Sequence, residues 1–333
     1  MRHPHRVGTN VVLVLIALGA LARPSLAVAT CTRSAVLDAP TTLVLSGGGA
    51  KGAWEAGVAA TLVQRGLALR LVAGSSAGAL NAAMVADGRI QRLDALWRTL
   101  RREQVYTLRP SVFFAGLLPG WLTLLSLDAA GSLFDPRPLR DLIAASVDLD
   151  RIRASSVRLL VTASDLVGRE IRRFDNRTLS VDVLMAAAAL PGAFPPVDVD
   201  GTLLVDGGLT GRAPVLEALE ADPSVTRALV VMSYAPDERG ARPSTLRRAL
   251  EEAFEMAMIH QIRRDTELAR LKYPAVDVQL LTPSAPLRVR PLDFDAGGIA
   301  RLLELGGADA AACLEAWRLN PTGESRPTAR PGH

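Results

Sequence analysis

The stretch TTLVLSGGGAKG, Thr41–Gly52, decides how the rest of the chain is read. Thr41–Ser46 is a short run of β-branched and apolar residues, the pattern of a strand covered on both faces. It stops at Gly47, Gly48 and Gly49, and a helix-compatible run follows from Ala53. Glycines at a strand-to-helix turn let the backbone take positive φ and bring its N–H groups close to a ligand. A phosphate, a dinucleotide and a developing oxyanion all fit such a turn, and the rest of the sequence discriminates among them.

The 333 residues are 49% hydrophobic, enough for a sizeable core. The first 29 residues stand apart from that core. Arg2, His3, His5 and Arg6 precede the apolar run Val11–Ala22, and small residues offer cleavage after Ala27 or Ala29. This is the pattern of a signal peptide, since the apolar run is short for a membrane span, which needs about 20 residues. The expected location is outside the cytoplasm: periplasm, envelope or secreted. Cleavage removes Arg2, Arg6 and Arg23 with no acidic residue, taking the formal charge from +4 to +1. A near-neutral mature chain without a basic block argues against nucleic acid as a partner. The two cysteines, Cys31 and Cys313, can pair in an exported protein. A second reading has Cys31 lipidated within VATC, where Thr30 fits poorly. Neither cysteine neighbours a histidine or forms a CxxC pair, so no metal site is expected from them.

Residues 30–40 read as a linker, 41–320 as one domain and the proline-rich 321–333 as a disordered tail. Within the domain strands and helices alternate: a strand at Thr41–Ser46, a helix at about Ala53–Arg65, a strand at Leu69–Ala73 and a helix at Ala77–Asp87. Further strands are expected at Val157–Ser164 and Arg227–Ser233, with a helix at Val181–Leu190. The alternation predicts an α/β fold, a mostly parallel central sheet flanked by helices on both faces. The apolar stretch Val112–Leu127, VFFAGLLPGWLTLLSL, is broken by Gly116, Pro119 and Gly120 and cannot be one membrane helix. It reads either as two short buried helices or as an apolar flap whose Phe113, Phe114 and Trp121 touch a membrane surface.

The second strand runs into Gly74-Ser75-Ser76-Ala77-Gly78, a G-x-S-x-G pattern. In this strand-to-helix context it sets Ser76 on a sharp turn with its hydroxyl exposed, and the following helix aims its positive end at the serine. A nucleophilic serine needs a base. His260 is the only histidine outside the signal segment and the terminal His333, and it sits in a long helical pattern, a poor setting for a triad base. Asp206 is the better candidate: Thr202–Val205 is a short strand that delivers it, and Gly207-Gly208 turns the chain behind it. Asp-Gly-Gly is also an ordinary surface turn. In the same sheet as Ser76, its carboxylate could accept the serine proton directly.

The combination resembles the patatin-like phospholipases, lipid hydrolases with a Ser–Asp dyad, over about Thr42–Leu314. The resemblance rests on GGGAKG at 47–52, GSSAG at 74–78 and DGG at 206–208, in that order, with SLFDPRPL at 132–139 and ALPGAFPPV at 189–197. It implies a three-layer fold, Ser76 as nucleophile, Asp206 as base and an oxyanion hole from the N–H groups of Gly47, Gly48 and Gly49. It implies a lipid or ester substrate, and Gly52, Gly74, Gly78, Gly207 and Gly208 as motif positions; no metal or other cofactor is expected. Lys51 reads either as a contact for a lipid phosphate or as a stem covering the helix surface. Arg212 departs from the family, which commonly carries asparagine there.

Three rival readings are weaker. Gly47-x-Gly49-x-x-Gly52 matches a dinucleotide fingerprint, but the second strand ends LVAGSS where that fingerprint needs an acidic residue, so no nucleotide cofactor is expected. An α/β-hydrolase triad of Ser76, Asp206 and His260 has the right chain order but an early elbow. A non-catalytic lipid-binding protein would not need the serine or the aspartate, and both are present.

Overall fold

The computed structural model describes residues 39–115, 131–236 and 242–319, with isolated positions 122, 129, 239 and 240. The expected signal segment, nearly all of the linker, the tail and most of the 112–127 stretch lie outside the described residues. Among the described residues ten strands form: β1 Thr41–Leu45, β2 Leu69–Gly74, β3 Thr107–Leu108, β4 Phe134–Asp135, β5 Arg158–Asp165, β6 Glu170–Asp175, β7 Val197–Val199, β8 Thr202–Asp206, β9 Arg227–Val231 and β10 Asp277–Leu281. Eight of them make one sheet in the order β10-β9-β1-β2-β5-β8-β7, with β6 paired to β5. The run from β10 to β5 is parallel, and β6, β7 and β8 add antiparallel pairings. β3 and β4 form a separate pair.

Period-two alternation splits each central strand between two cores. Leu43, Leu45, Val72, Leu229 and Val231 point into one, with Trp54 of α1 (Gly52–Gln64), Ala79 of α2 (Ala77–Ala86) and Leu302 of the C-terminal helix Ala296–Leu319. Val44, Leu71, Ala73, Ala228 and Val230 point into the other, against the helices Val215–Ala221 and Leu246–Lys272. This is the expected three-layer α/β fold. Cys313 is fully buried in the first core and is disulfide-bonded; the chain's other cysteine, Cys31, lies outside the described residues. No helix among the described residues is long and apolar enough to cross a membrane.

One feature of the register positions the site. Val161 of β5 pairs with Phe174 of β6 on one edge and Gly74 of β2 on the other. Ala163, two residues on, pairs with Arg172 of β6 and Asp206 of β8. β2 and β8 therefore occupy the same edge of β5, end to end and in opposite directions. The turn that follows β2 and the turn that follows β8 meet there, although they are far apart in sequence.

Candidate active site

Ser76 caps the N-terminus of α2 with φ 54 and ψ −134, a left-handed conformation in a non-glycine residue. Such strain costs on the order of 1–3 kcal/mol and persists only where the surroundings enforce it. Here Ser76 N–H donates to the Ala187 carbonyl at 3.0 Å, and the Ser75 hydroxyl donates to the Arg212 carbonyl at 2.6 Å. The elbow also packs with no room for side chains. A Cβ on Gly78 would stand 2.4 Å from the Leu45 carbonyl oxygen and 2.8 Å from Gly47 N. The sequence pattern at 74–78 is thus a packing requirement that leaves the hydroxyl of Ser76 as the group presented.

Asp206 ends β8 and is 2% exposed. Its N–H donates to the Ala189 carbonyl at 3.0 Å, and its Oδ1 accepts from Gly208 N–H at 2.8 Å. The Ser76 hydroxyl lies close enough to lower the pKa of this carboxyl, so the register brings the two expected chemical groups to one place. Burial raises the Asp206 pKa above the ordinary carboxylate value. The Arg212 charge, the Gly208 N–H and the Ser76 hydroxyl oppose that rise. A buried carboxylate whose proton affinity is raised and which stands near a serine hydroxyl is equipped to accept its proton.

The glycine turn lies against the elbow. Gly47, Gly48 and Gly49 all take positive φ (74, 137 and 59), and a Cβ on Gly49 would stand 2.0 Å from the Pro291 carbonyl oxygen. The structure corrects one expectation here. Gly47 N–H is engaged by both carboxyl oxygens of Glu55, at 2.8 and 3.0 Å, so it is not an open oxyanion donor. Gly48 N–H and Gly49 N–H donate to no acceptor among the described residues.

Glu55 itself was not foreseen. It is fully buried on α1, accepts the Ser46 hydroxyl at 2.7 Å, and has its pKa raised by burial to about 8. The available signal was one acidic residue inside the otherwise apolar or glycine run AWEAGVAA.

Lys51 neither reaches outward to a phosphate nor covers a helix surface; its role is structural and internal. Its ammonium is 3% exposed, 3.1 Å from Glu255 and 4.3 Å from the centre of the Tyr234 ring. Arg212 is equally buried, and its backbone N–H donates to the Gln261 side chain at 3.1 Å. Its guanidinium spans the back of the site. A Cβ on Gly208 would lie 2.6 Å from Nη1, and one on Gly48 3.6 Å from Nη2, while Nε is buried without an acceptor. Burial pushes the pKa of the Tyr234 hydroxyl up to about 12, and the guanidinium charge acts to lower it. His260, by contrast, is exposed on the Leu246–Lys272 helix, and the neighbouring Gln261 is the residue that reaches the site.

A buried serine and carboxylate gathered at a strand-to-helix elbow, faced by open backbone N–H groups, have the parts that serine acyl transfer needs. The comparisons with known proteins agree with that class. The family model described as patatin-like phospholipase matches residues 43–219, and the chain belongs to this family. An uncharacterized NTE family protein of Mycobacterium tuberculosis is 28% identical over 204 residues, 61% of this chain and 52% of that protein. A patatin-like phospholipase domain-containing protein of Caenorhabditis elegans is 28% identical over 175 residues, 52% of this chain and 12% of that protein. The chain thus spans about half the length of the mycobacterial relative, and much less of the nematode one. Among solved structures, human GIVD cytosolic phospholipase A2 in complex with methyl gamma-linolenyl fluorophosphonate aligns with TM-score 0.49 and 14% identity, covering 88% of this chain and 61% of that one. VipD from Legionella pneumophila aligns with TM-score 0.45 and 16% identity, covering 85% and 68%. Family membership supports a lipid acyl hydrolase or esterase in general.

Proposed function

We propose that this chain hydrolyses carboxylic esters of lipids with Ser76 as nucleophile and Asp206 as its base. The observation that carries the reading is the convergence of the strained Ser76 and the buried Asp206 on one edge of β5 and on one helix end. Ser76 Oγ attacks the ester carbonyl carbon while Asp206 takes the hydroxyl proton. The carbonyl oxygen becomes an oxyanion facing Gly48 N–H and Gly49 N–H, which are fixed in advance and need no reorganisation. Collapse breaks the bond to the alcohol, which leaves with the proton from Asp206. Water then attacks the acyl-serine by the same route in reverse, with Asp206 again as base, releasing the fatty acid.

The test is hydrolysis of a nitrophenyl butyrate and of a phospholipid by wild type, Ser76→Ala and Asp206→Ala. Loss in both variants supports the dyad, and the substrate ratio begins to define specificity. Activity that survives both moves the chemistry elsewhere.

Export and surface contact belong to the same proposal. A disulfide at Cys313 fits an oxidising compartment, and intact mass of protein from the envelope should show a start at Val28 or Thr30. A start at Met1 refutes cleavage. Contact with lipid through 112–127 is supported by Phe113, which is 61% exposed at the edge of that stretch. Vesicle co-sedimentation of Phe113→Ser checks it, with weaker binding expected.

A further inference from the structure

The polar groups behind the glycine turn hold the two peptide links that flank the Gly47 Cα. Glu55 grips Gly47 N–H with both carboxyl oxygens and also accepts the Ser46 hydroxyl. Ser233, fully buried after β9, donates its hydroxyl to the Gly47 carbonyl, and its own N–H reaches Ser46 Oγ at 3.4 Å. These contacts close a ring: Gly47 to Glu55 to Ser46 to Ser233 and back to Gly47.

The consequence follows from peptide geometry. A trans peptide aims its C=O and its N–H in opposite directions. The Gly47 carbonyl shares a peptide plane with Gly48 N–H. Fixing that carbonyl on Ser233, inside the protein, turns Gly48 N–H outward. The same logic extends to the next link, where the Gly48 carbonyl accepts Lys51 N–H at 3.2 Å and Gly49 N–H points the opposite way. With positive φ at all three glycines, the turn has no side chains to hold it, and the ring supplies the hold that glycine itself cannot.

We propose that Glu55 and Ser233 are positioning residues for the oxyanion donors: Glu55 holds the link before Gly47 and Ser233 the link after it, and together they aim Gly48 N–H at the reacting carbonyl oxygen. The inference rests on the acyl-hydrolase reading above and adds two residues that touch no substrate. Glu55→Gln keeps one acceptor oxygen and replaces the other with an NH2 group that cannot accept, so the two-oxygen grip on Gly47 N–H is reduced to one and the turn loosens. Ser233→Ala is the milder change, deleting only the bond to the Gly47 carbonyl.

The experiment compares full-length wild type, Glu55→Gln, Ser233→Ala and Ser76→Ala. Nitrophenyl butyrate gives kcat and KM per active site, counted by complete labelling with an alkyl fluorophosphonate and intact mass. Hydrogen exchange of peptides spanning 45–52 reports the turn itself. A donor removed outright costs about 10²–10³ in kcat, so a donor left in place but misaimed should cost about 10- to 100-fold. Expected are that loss in kcat per labelled site, KM within about threefold, and faster exchange at 45–52 in both variants. A wild-type kcat per labelled site in Ser233→Ala overturns the clamp, because a purely structural role lowers the number of sites but not their turnover. Should Glu55→Gln fail to fold, Ser233→Ala decides alone. Hydrolysis missing from wild type, or surviving in Ser76→Ala, overturns the underlying dyad reading and the proposal with it. That outcome is distinct because it shows before any clamp variant is measured.

Discussion

Ser76 and Asp206 hang from one short stretch of chain: Ser76 N–H donates to the Ala187 carbonyl and Asp206 N–H to the Ala189 carbonyl. That stretch closes the Val181–Ala187 helix, so a single helix end sets the spacing between the elbow and the carboxylate. The two groups also share an edge of β5 through Gly74 and Asp206. Their proximity is fixed twice over, by sheet register and by the helix end.

Asp206→Asn keeps the shape of the side chain and an oxygen to accept Gly208 N–H, but removes the base. A positioned general base contributes about 10²–10⁴-fold, and kcat should fall by that factor with KM nearly unchanged. Steady-state kinetics on nitrophenyl butyrate measures it, and a fall in KM-dependent binding alone would contradict the assigned role.

Arg212 lowers the Asp206 pKa against the effect of burial. Replacing it with glutamine should raise that pKa further, so a higher pH is needed to ionise the base. The acid limb of kcat/KM should therefore move to higher pH in Arg212→Gln. An unmoved limb would mean that the guanidinium is not felt at the dyad.

Glu55 gives the fold a pH dependence of definite sign. Its pKa is raised from 4.5 to about 8 in the folded state, so between those values the native protein holds a proton that the unfolded chain has released. Stability from this group is full below its unfolded pKa and is lost as pH rises through about 8. Asp206, also raised, acts in the same sense. The lowered carboxyls Asp87, Asp135, Asp175 and Asp222 act oppositely but only at acid pH, below their unfolded value of 3.8. Stability should thus fall from about pH 5 to pH 8, by an amount on the order of a few kcal/mol at most, given about 1.4 kcal/mol per pKa unit, and the melting temperature should fall with it. Thermal melts across that range check it, and Glu55→Gln should flatten the slope.

Gly49→Ala should disable the turn. Its Cβ would meet the Pro291 carbonyl oxygen at 2.0 Å and would sit at φ 59, where an L side chain costs about 1–2 kcal/mol before the clash is counted. Lower thermal stability together with loss of turnover is expected. Melting and kinetics on the same preparation measure both effects.

Much of this was legible in the sequence because it is local. Thr41–Leu45 and Leu69–Gly74 are mostly buried strands followed by glycine-containing turns, and one such turn gave the candidate nucleophile Ser76 its position. β6, EIRRFD, was not legible: it is an edge strand with charged, exposed positions, paired only through β5. β7 and β10 were missed for a similar reason, being short and recognisable only by their partners.

By itself the sequence determined the alternating elements, the elbow and the identities of Ser76 and Asp206, because turn geometry and side-chain period are written in neighbouring residues. Only the tertiary structure decided which glycine N–H is open, that Lys51 is buried beside Glu255, and that Glu55, Ser233 and Arg212 stand behind the site. Those are matters of which buried polar group finds which partner. Burial makes an unmet hydrogen bond costly, so residues far apart in the chain are drawn into one network that local patterns do not reveal.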